Sequence, residues 1–301
     1  MNKLPLAKRA QILSMLVEGS SMRSVSRVAG VSVNTVAKLQ AEAGEAAETF
    51  HNQTVRNLQT AQLQCDEIWA FCYAKARTVR QMPDDKFIPG AGDIRTFTAL
   101  DRDSKLMVSW FSGDRDIDTA SQFLRDTSDR IITPVQVTTD GWQGYRDLIS
   151  EIFPWETSYG QVQKVFSNTP EKGPARRYSP GMCCASERKA IFGNPEHGKI
   201  CTSHVERQNL NIRMGVRRFT RLTNAFSKKV EAHADSLALY FFHYNFCRNH
   251  KTLGMTPAQA ARLTDERLSM EDLVKLMDAR AAKPSRPATY KKQPAEAENS
   301  N

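Results

Sequence analysis

Apolar positions change their period several times along the chain, and each change marks a part. Leu6, Ala10, Leu13 and Val17 recur at helical spacing behind Pro5, which a first helical turn tolerates, and the run stops at Gly19. Ser20 or Ser21 is placed to cap a second helix carrying Val25 and Val28 and ending at Ala29-Gly30. Ser32 is placed to cap a third, with Val33, Val36 and Ala37 expected to turn inward. Residues 46–62, in a stretch rich in Ala, Glu, Gln and Asn, are expected to form a helical or extended linker. From Leu63 the period drops to two: Leu63, Cys65, Trp69, Phe71 and Tyr73 alternate with other residues as in a strand. Arg95–Asp101 and Lys105–Phe111 predict two further strands about the turn Asp101-Arg102-Asp103-Ser104. A helix over Ile117–Arg130, a Val-rich strand over Pro134–Thr139 and a helix over Trp142–Ile152 come next.

Three strands in a meander, then helix, strand and helix, is an α/β order whose later strands run parallel to the first. Residues 164–201, dense in Pro and Gly, are expected to be an irregular excursion. Helix is expected to return over Ser203–Phe219, over Ser236–Cys247 and at 263–280, and the Pro-, Lys-, Ala- and Glu-rich stretch 281–301 to be a disordered tail. The domain plan is therefore an all-α unit over 1–45, a linker over 46–62 and an α/β unit over 63–262.

Charge adds a partner class. Forty-two Lys and Arg against 33 Asp and Glu give a net charge of +9 in 301 residues, which favours polyanions through counterion release from a phosphate backbone. No window approaches the roughly 18 apolar residues of a membrane span, and no secretory signal is legible at the start, so a cytoplasmic, nucleoid-associated protein is expected. Six scattered cysteines fit reduced thiols. Cys201 with His204 and Cys247 with His250 share a spacing that zinc sites use, yet neither forms a repeated knuckle.

In the first unit, two short helices about a Gly turn form a helix-turn-helix pattern, and the third helix points Asn34, Thr35 and Lys38 outward where a recognition helix meets DNA. In the α/β unit, three acidic residues stand where the strand order would gather them: Asp66 inside the first strand, Asp140 at the tip of the fourth, and Glu206 early in a later helix. A carboxylate within an apolar strand has to be paired or metal-bound, and converging carboxylates select hard ions such as Mg²⁺ or Mn²⁺. Glu67 points to the opposite strand face by the period of two. Asp101, Asp103, Asp114 and Asp116 read as turn and cap residues. Glu206 and Arg213, nearly two turns apart, share a helix face with Leu210 and Arg217 beside them, while Val205, Ile212, Val216 and Phe219 form a separate apolar stripe. From Thr202 to Met255 nine Lys or Arg, among them Arg213, Arg217, Arg218 and Arg221, face three acids, a net of +6 that points to DNA.

The run Asp66-Glu67-Ile68-Trp69, the turn Asp140-Gly141-Trp142-Gln143-Gly144-Tyr145 and the stretch His204–Arg213 resemble the three acidic motifs of bacterial insertion-sequence transposases of the DDE type, most closely the IS-one-like group. The segment Tyr244–Ala258 resembles the stretch after the catalytic helix in such enzymes, and the likeness runs from about Leu63 to Ala261. It implies a ribonuclease-H-like mixed sheet flanked by helices, with Asp66, Asp140 and Glu206 as a Mg²⁺ (or Mn²⁺) triad and Arg213 contacting DNA near it. It also implies metal-dependent cleavage and strand transfer at the ends of a mobile element, with target DNA as second partner. Joining two ends implies a homodimer or larger. Two other readings stand beside it: a helix-turn-helix transcription regulator without catalysis, which needs no convergent carboxylates, and a nuclease of the same fold that cuts without joining.

Overall fold

The computed structural model describes residues 3–154, 156–166, 183–220 and 222–280. The alternating stretches form one mixed sheet of six strands: β1 (Gln62–Cys72), β2 (Gly92–Asp101), β3 (Met107–Gly113), β4 (Gln136–Asp140), β5 (Ser158–Phe166) and β6 (Cys183–Phe192), in the order β3-β2-β1-β4-β5-β6. β1, β2 and β3 pair antiparallel, β4 runs parallel to β1 and β5 to β4, and β6 returns antiparallel on β5.

Both faces of β1 are covered. Leu63 and Cys65 pack with Phe97, Phe123, Val137 and Tyr145 on the face roofed by α5 (Ile117–Ser128) and α6 (Gly144–Ile152). Ile68 and Ala70 pack with Val205, Ile212, Val216 and Phe219 on the other face, under α7 (Ser203–Gly215) and the 3-10 turn Arg217–Phe219. The stripe expected on that helix is thus its buried side, but the helix stops at Gly215, short of Phe219.

At the N-terminus lie α1 (Leu6–Val17), α2 (Met22–Ala29) and α3 (Val33–Thr54), with Ser21 and Ser32 accepting the capping N–H groups of Ser24 and Thr35. Val28 is 71% and Val33 39% exposed, against expectation: Val25 and Ala29, one turn apart, take the inner stripe of α2, and Val33 overhangs at the first turn of α3. The stretch expected to be a linker is structured. α3 runs on to Thr54, and its Ala43, Gly44, Ala46 and Ala47 are buried, small residues that allow close packing on α8 (Val230–Phe242).

Two short helices lie elsewhere, α4 (Ala76–Val79) and α9 (Pro257–Ala260), and the last helix, α10 (Met270–Arg280), begins later than the sequence predicts and packs on α1. α8 starts before Ser236 and continues into a π-helical turn, His243–Cys247. That turn aims Asn245 at β3, where its amide accepts from the Met107 N–H and donates to the Met107 carbonyl, both at 2.9 Å.

The 164–201 excursion is corrected in part, since β6 and the end of β5 lie within it. β6 is an edge strand whose residues 184–190 are exposed on both faces, so no apolar alternation announces it. The middle of that excursion, the tail 281–301 and Arg221 fall outside the described residues. No described helix is long and apolar enough to cross a membrane.

Candidate active site

Pairing register carries Asp66 to Asp140. β1 and β4 pair from Gln62↔Gln136 to Gln64↔Thr138, and two residues further along each strand stand the two aspartates. Asp66 lies on the α7 side and accepts a hydrogen bond from Asn209 Nδ2 at 2.8 Å. Burial pushes its carboxyl up to about 7; the Glu67 backbone N–H opposes this, and the charges of Asp140, Glu67 and Glu206 add to it. No cation is hydrogen-bonded to it among the described residues.

Glu206 reaches the same region because β1 also fixes the start of α7. Gln64 Oε1, two residues before Asp66, accepts from the backbone N–H groups of His204 at 3.0 Å and Val205 at 3.2 Å. These belong to the first turn of the helix, where N–H groups have no partner within it, so a strand side chain serves as the cap. The Glu206 carboxylate accepts from Lys164 Nζ on β5 at 2.6 Å and from Thr202 Oγ1 at 2.5 Å.

At the tip of β4, Asp140 Oδ1 accepts from the Trp142 N–H at 3.0 Å, and Oδ2 lies 3.9 Å from the Arg115 guanidinium. Arg115 lies 3.2 Å from Glu67, whose side chain is 4% exposed, and stacks 5.2 Å from the centre of the Trp142 ring. Glu67 is on the α6 side of the sheet; burial raises its pKa, Asp140 adds to the rise and Arg115 opposes it. Two cations, Arg115 and Lys164, therefore bracket the three acids. As the side chains stand, no three His, Cys, Asp or Glu among the described residues are grouped tightly enough to hold an ion. Glu206 is turned onto Lys164 and Thr202 instead.

Sequence reasoning missed Gln64, Asn209, Arg115 and Lys164. A neutral amide in a strand or helix carries no signal of its own. Arg115 was hidden beside Asp116, which caps α5 by accepting from the Thr119 N–H at 2.8 Å, and Lys164 lies in the stretch read as irregular.

The basic positions divide. Arg213 is half-buried on α7, and Arg217 lies beyond its end in the 3-10 turn. Arg218, expected on a DNA-facing surface, is turned inward: its guanidinium donates to Ser227 Oγ and to Gln40 Oε1 of α3, both at 3.3 Å, and burial lowers its pKa. On α3, Asn34 and Lys38 are exposed, Lys38 lying 3.8 Å from Glu42. Thr35 belongs to the cap, its hydroxyl 2.8 Å from that of Ser32. Neither Cys-His pair forms a zinc cluster among the described residues; Cys201 contacts Ser203, and burial pushes the Cys247 thiol up to about 12.

Residues 187–247 match the family model of IS1 transposases, a span that includes Glu206 and Arg213 and agrees with the resemblance read from the motifs. Comparison with curated protein sequences returns no match. Among solved structures, the chain is similar to the cryo-EM structure of a piggyBac transposase synaptic complex with hairpin DNA, at 11% identity and a TM-score of 0.34, over 93% of this chain and 73% of that one.

Proposed function

We propose that this protein is a DNA transposase whose α/β unit carries a ribonuclease-H-like site for cutting and joining strands and whose N-terminal helices read element ends. One observation carries the reading: Asp140, on the adjacent strand, and Glu206, on the helix packed over the sheet, both bear electrostatically on Asp66, which is half-buried and has no cation hydrogen-bonded to it among the described residues. The match of 187–247 to IS1 transposases supports the same chemistry at Glu206. Strand order β3-β2-β1-β4-β5, antiparallel for three strands and parallel for two, supports the fold assignment.

The donor set fits a divalent cation. All three groups offer hard oxygen ligands, and a cation beside Asp66 would favour the ionised form that burial opposes. Asp66, Asp140 and Glu206 are the residues that would hold it. When bound, Mg²⁺ or Mn²⁺ supplies Lewis-acid stabilisation of charge on the phosphoryl oxygens and lowers the pKa of a coordinated water. The chain's own residues do the rest. Gln64 fixes the height of α7 against β1; Asn209 orients the Asp66 carboxylate; Lys164 pairs with the Glu206 carboxylate. Arg115 and Arg213 present positive charge to phosphates on either side, and Asn34 and Lys38 face outward for base edges and backbone.

The test is incubation of the protein with candidate terminal repeats and Mg²⁺, reading joined products. Wild type is expected to join ends, while Asp66→Asn, Asp140→Asn and Glu206→Gln each lose nicking and joining yet still bind ends. Near wild-type joining by any of the three removes that residue from the site. Ends that are cut and never joined identify a nuclease, and DNA left intact leaves a regulator.

A further inference from the structure

On the opposite side of α7 from Glu206, a cleft of about 490 Å³ opens between α7, the end of β2 with the turn that follows it, and the segment after α8. Among the described residues its walls carry four cations, Lys105, Arg207, Arg248 and Lys251, two imidazoles, His204 and His250, and no carboxylate. None of the four cations has a carboxylate within 4.0 Å among the described residues. The nearest acids, Asp101 and Asp103, lie in the β2–β3 turn, and Asp101 is occupied by Thr60 and Ser104. Four like charges gathered in a concave site without counter-charge repel one another, an arrangement whose natural complement is an anion.

One further feature points to a ligand. The His250 Nδ1 atom is shielded from solvent and has no hydrogen-bond partner among the described residues. Lys105 has a φ of 61°, in the left-handed region that a non-glycine residue avoids. Its backbone is held there by the Tyr244 hydroxyl, which donates to the Lys105 carbonyl at 2.9 Å, and its ammonium donates to the Arg102 carbonyl. Asn57, Tyr73, Leu222 and Arg262 share this conformation, so at Lys105 it serves to fix where the side chain enters the cleft.

Helix geometry connects this cleft to the acidic site. His204, Arg207 and Asn211 form one stripe of α7, Glu206 and Arg213 another, and between them run Leu210 and Met214, 44% and 66% exposed. We propose that the cleft binds the phosphodiester backbone of a DNA strand that crosses this ridge of α7 on its way from the acidic site. The inference rests on the transposase reading for the strand's origin, and on the cleft alone for the chemistry.

The experiment is fluorescence anisotropy of the full-length protein with a labelled single-stranded oligonucleotide, without Mg²⁺, across a range of salt. Lys105→Gln/Arg248→Gln/Lys251→Gln is expected to lower the slope of log affinity against log salt by about 2, at about 0.7 for each lost contact, and to weaken binding on the order of tenfold. A control with the same loss of charge elsewhere, Lys8→Gln/Lys86→Gln/Arg146→Gln, is expected to keep the wild-type slope. Should the triple variant unfold, Lys251→Gln alone, at an exposed position, is expected to lower the slope by about 0.7. An unchanged slope in the cleft variant, or equal losses in both triple variants, overturns the proposal. So does calorimetry in which inorganic phosphate binds wild type but not the variant while oligonucleotide binding is the same in both; the cleft then takes a free phosphate. No step of this assay requires cleavage, so its failure leaves the joining assay to decide the transposase reading, and the reverse holds.

Discussion

A carboxylate on the covered face of a central strand is neutralised either by a proton or by a cation, and at Asp66 the balance is set by burial. The folded protein holds this group at about 7 against an ordinary 3.8, so the proton is bound more tightly in the fold than in the unfolded chain. The stability this provides is complete below about pH 4 and is lost as the pH rises through 7. Asp66→Asn cannot ionise and fills the same volume. It is expected to match wild type in thermal unfolding near pH 4 and to be more stable at pH 8, by at most about 4 kcal/mol for a gap of that width. Added Mg²⁺ should raise the wild-type Tm at pH 8 and leave that of the variant where it is. Equal stabilities at pH 8 would show that Asp66 ionises freely in the apo protein. Asp66, Asp140 and Glu206 stand out in the sequence as candidates because an acid inside an apolar strand, at a strand tip or on a helix with an apolar stripe contradicts its surroundings. Arg115, Lys164, Gln64 and Asn209 contradict nothing locally, and their roles exist only once the strand order is known.

Among the elements, α7 depends on β1 for more than apolar contact. Its first turn has no cap from its own N-cap residue, Thr202, and takes one from Gln64 instead. Gln64→Leu keeps comparable bulk but leaves two N–H groups without a partner, so a loss of about 1–3 kcal/mol is expected, read as a lower midpoint of chemical denaturation. Because the same side chain sets the height of Glu206 above Asp66, the proposed joining of DNA ends should fall further than the loss of stability explains, measured where both proteins are fully folded. Wild-type joining by a destabilised Gln64→Leu would confine this residue to stability. Strands with a covered face, β1 to β4 (the edge strand β3 among them), are legible in the sequence to within a few residues. β6 is not, because an edge strand exposed on both faces has no reason to alternate. The extent of α3 was missed for a different reason: a polar, alanine-rich sequence reads as a linker until a second helix comes close enough to bury its small residues.

At the scale of the whole molecule, the N-terminal helices are continuous with the body. One buried cluster runs from Ile12 and Leu13 of α1 through Ala43 and Ala47 of α3 to Leu58, Phe97 and Phe242. Arg9 of α1 adds a two-pronged pair to Asp278 of α10, both bonds at 2.7 Å, and the Asp278 carboxyl is held well below the usual range by it. A boundary at residue 45 would cut α3 through the turn that packs on α8, so removing 1–45 tests folding before it tests DNA reading. The close approach is at Gly44, where an added Cβ would lie 2.5 Å from the Asp235 Cα, backbone that no rotamer change can move. Gly44→Ala is therefore expected to push α3 off α8, at about 1–3 kcal/mol, or roughly 2–12 °C in Tm for a chain of this size. The shift should come in a single transition that lowers the N-terminal helices and the sheet together. Asn34→Ala/Lys38→Ala, at exposed positions, should leave Tm unchanged and reduce only the preference for element ends over random DNA. Two separate transitions in Gly44→Ala, with the sheet melting at the wild-type temperature, would instead establish the N-terminal helices as an independent unit.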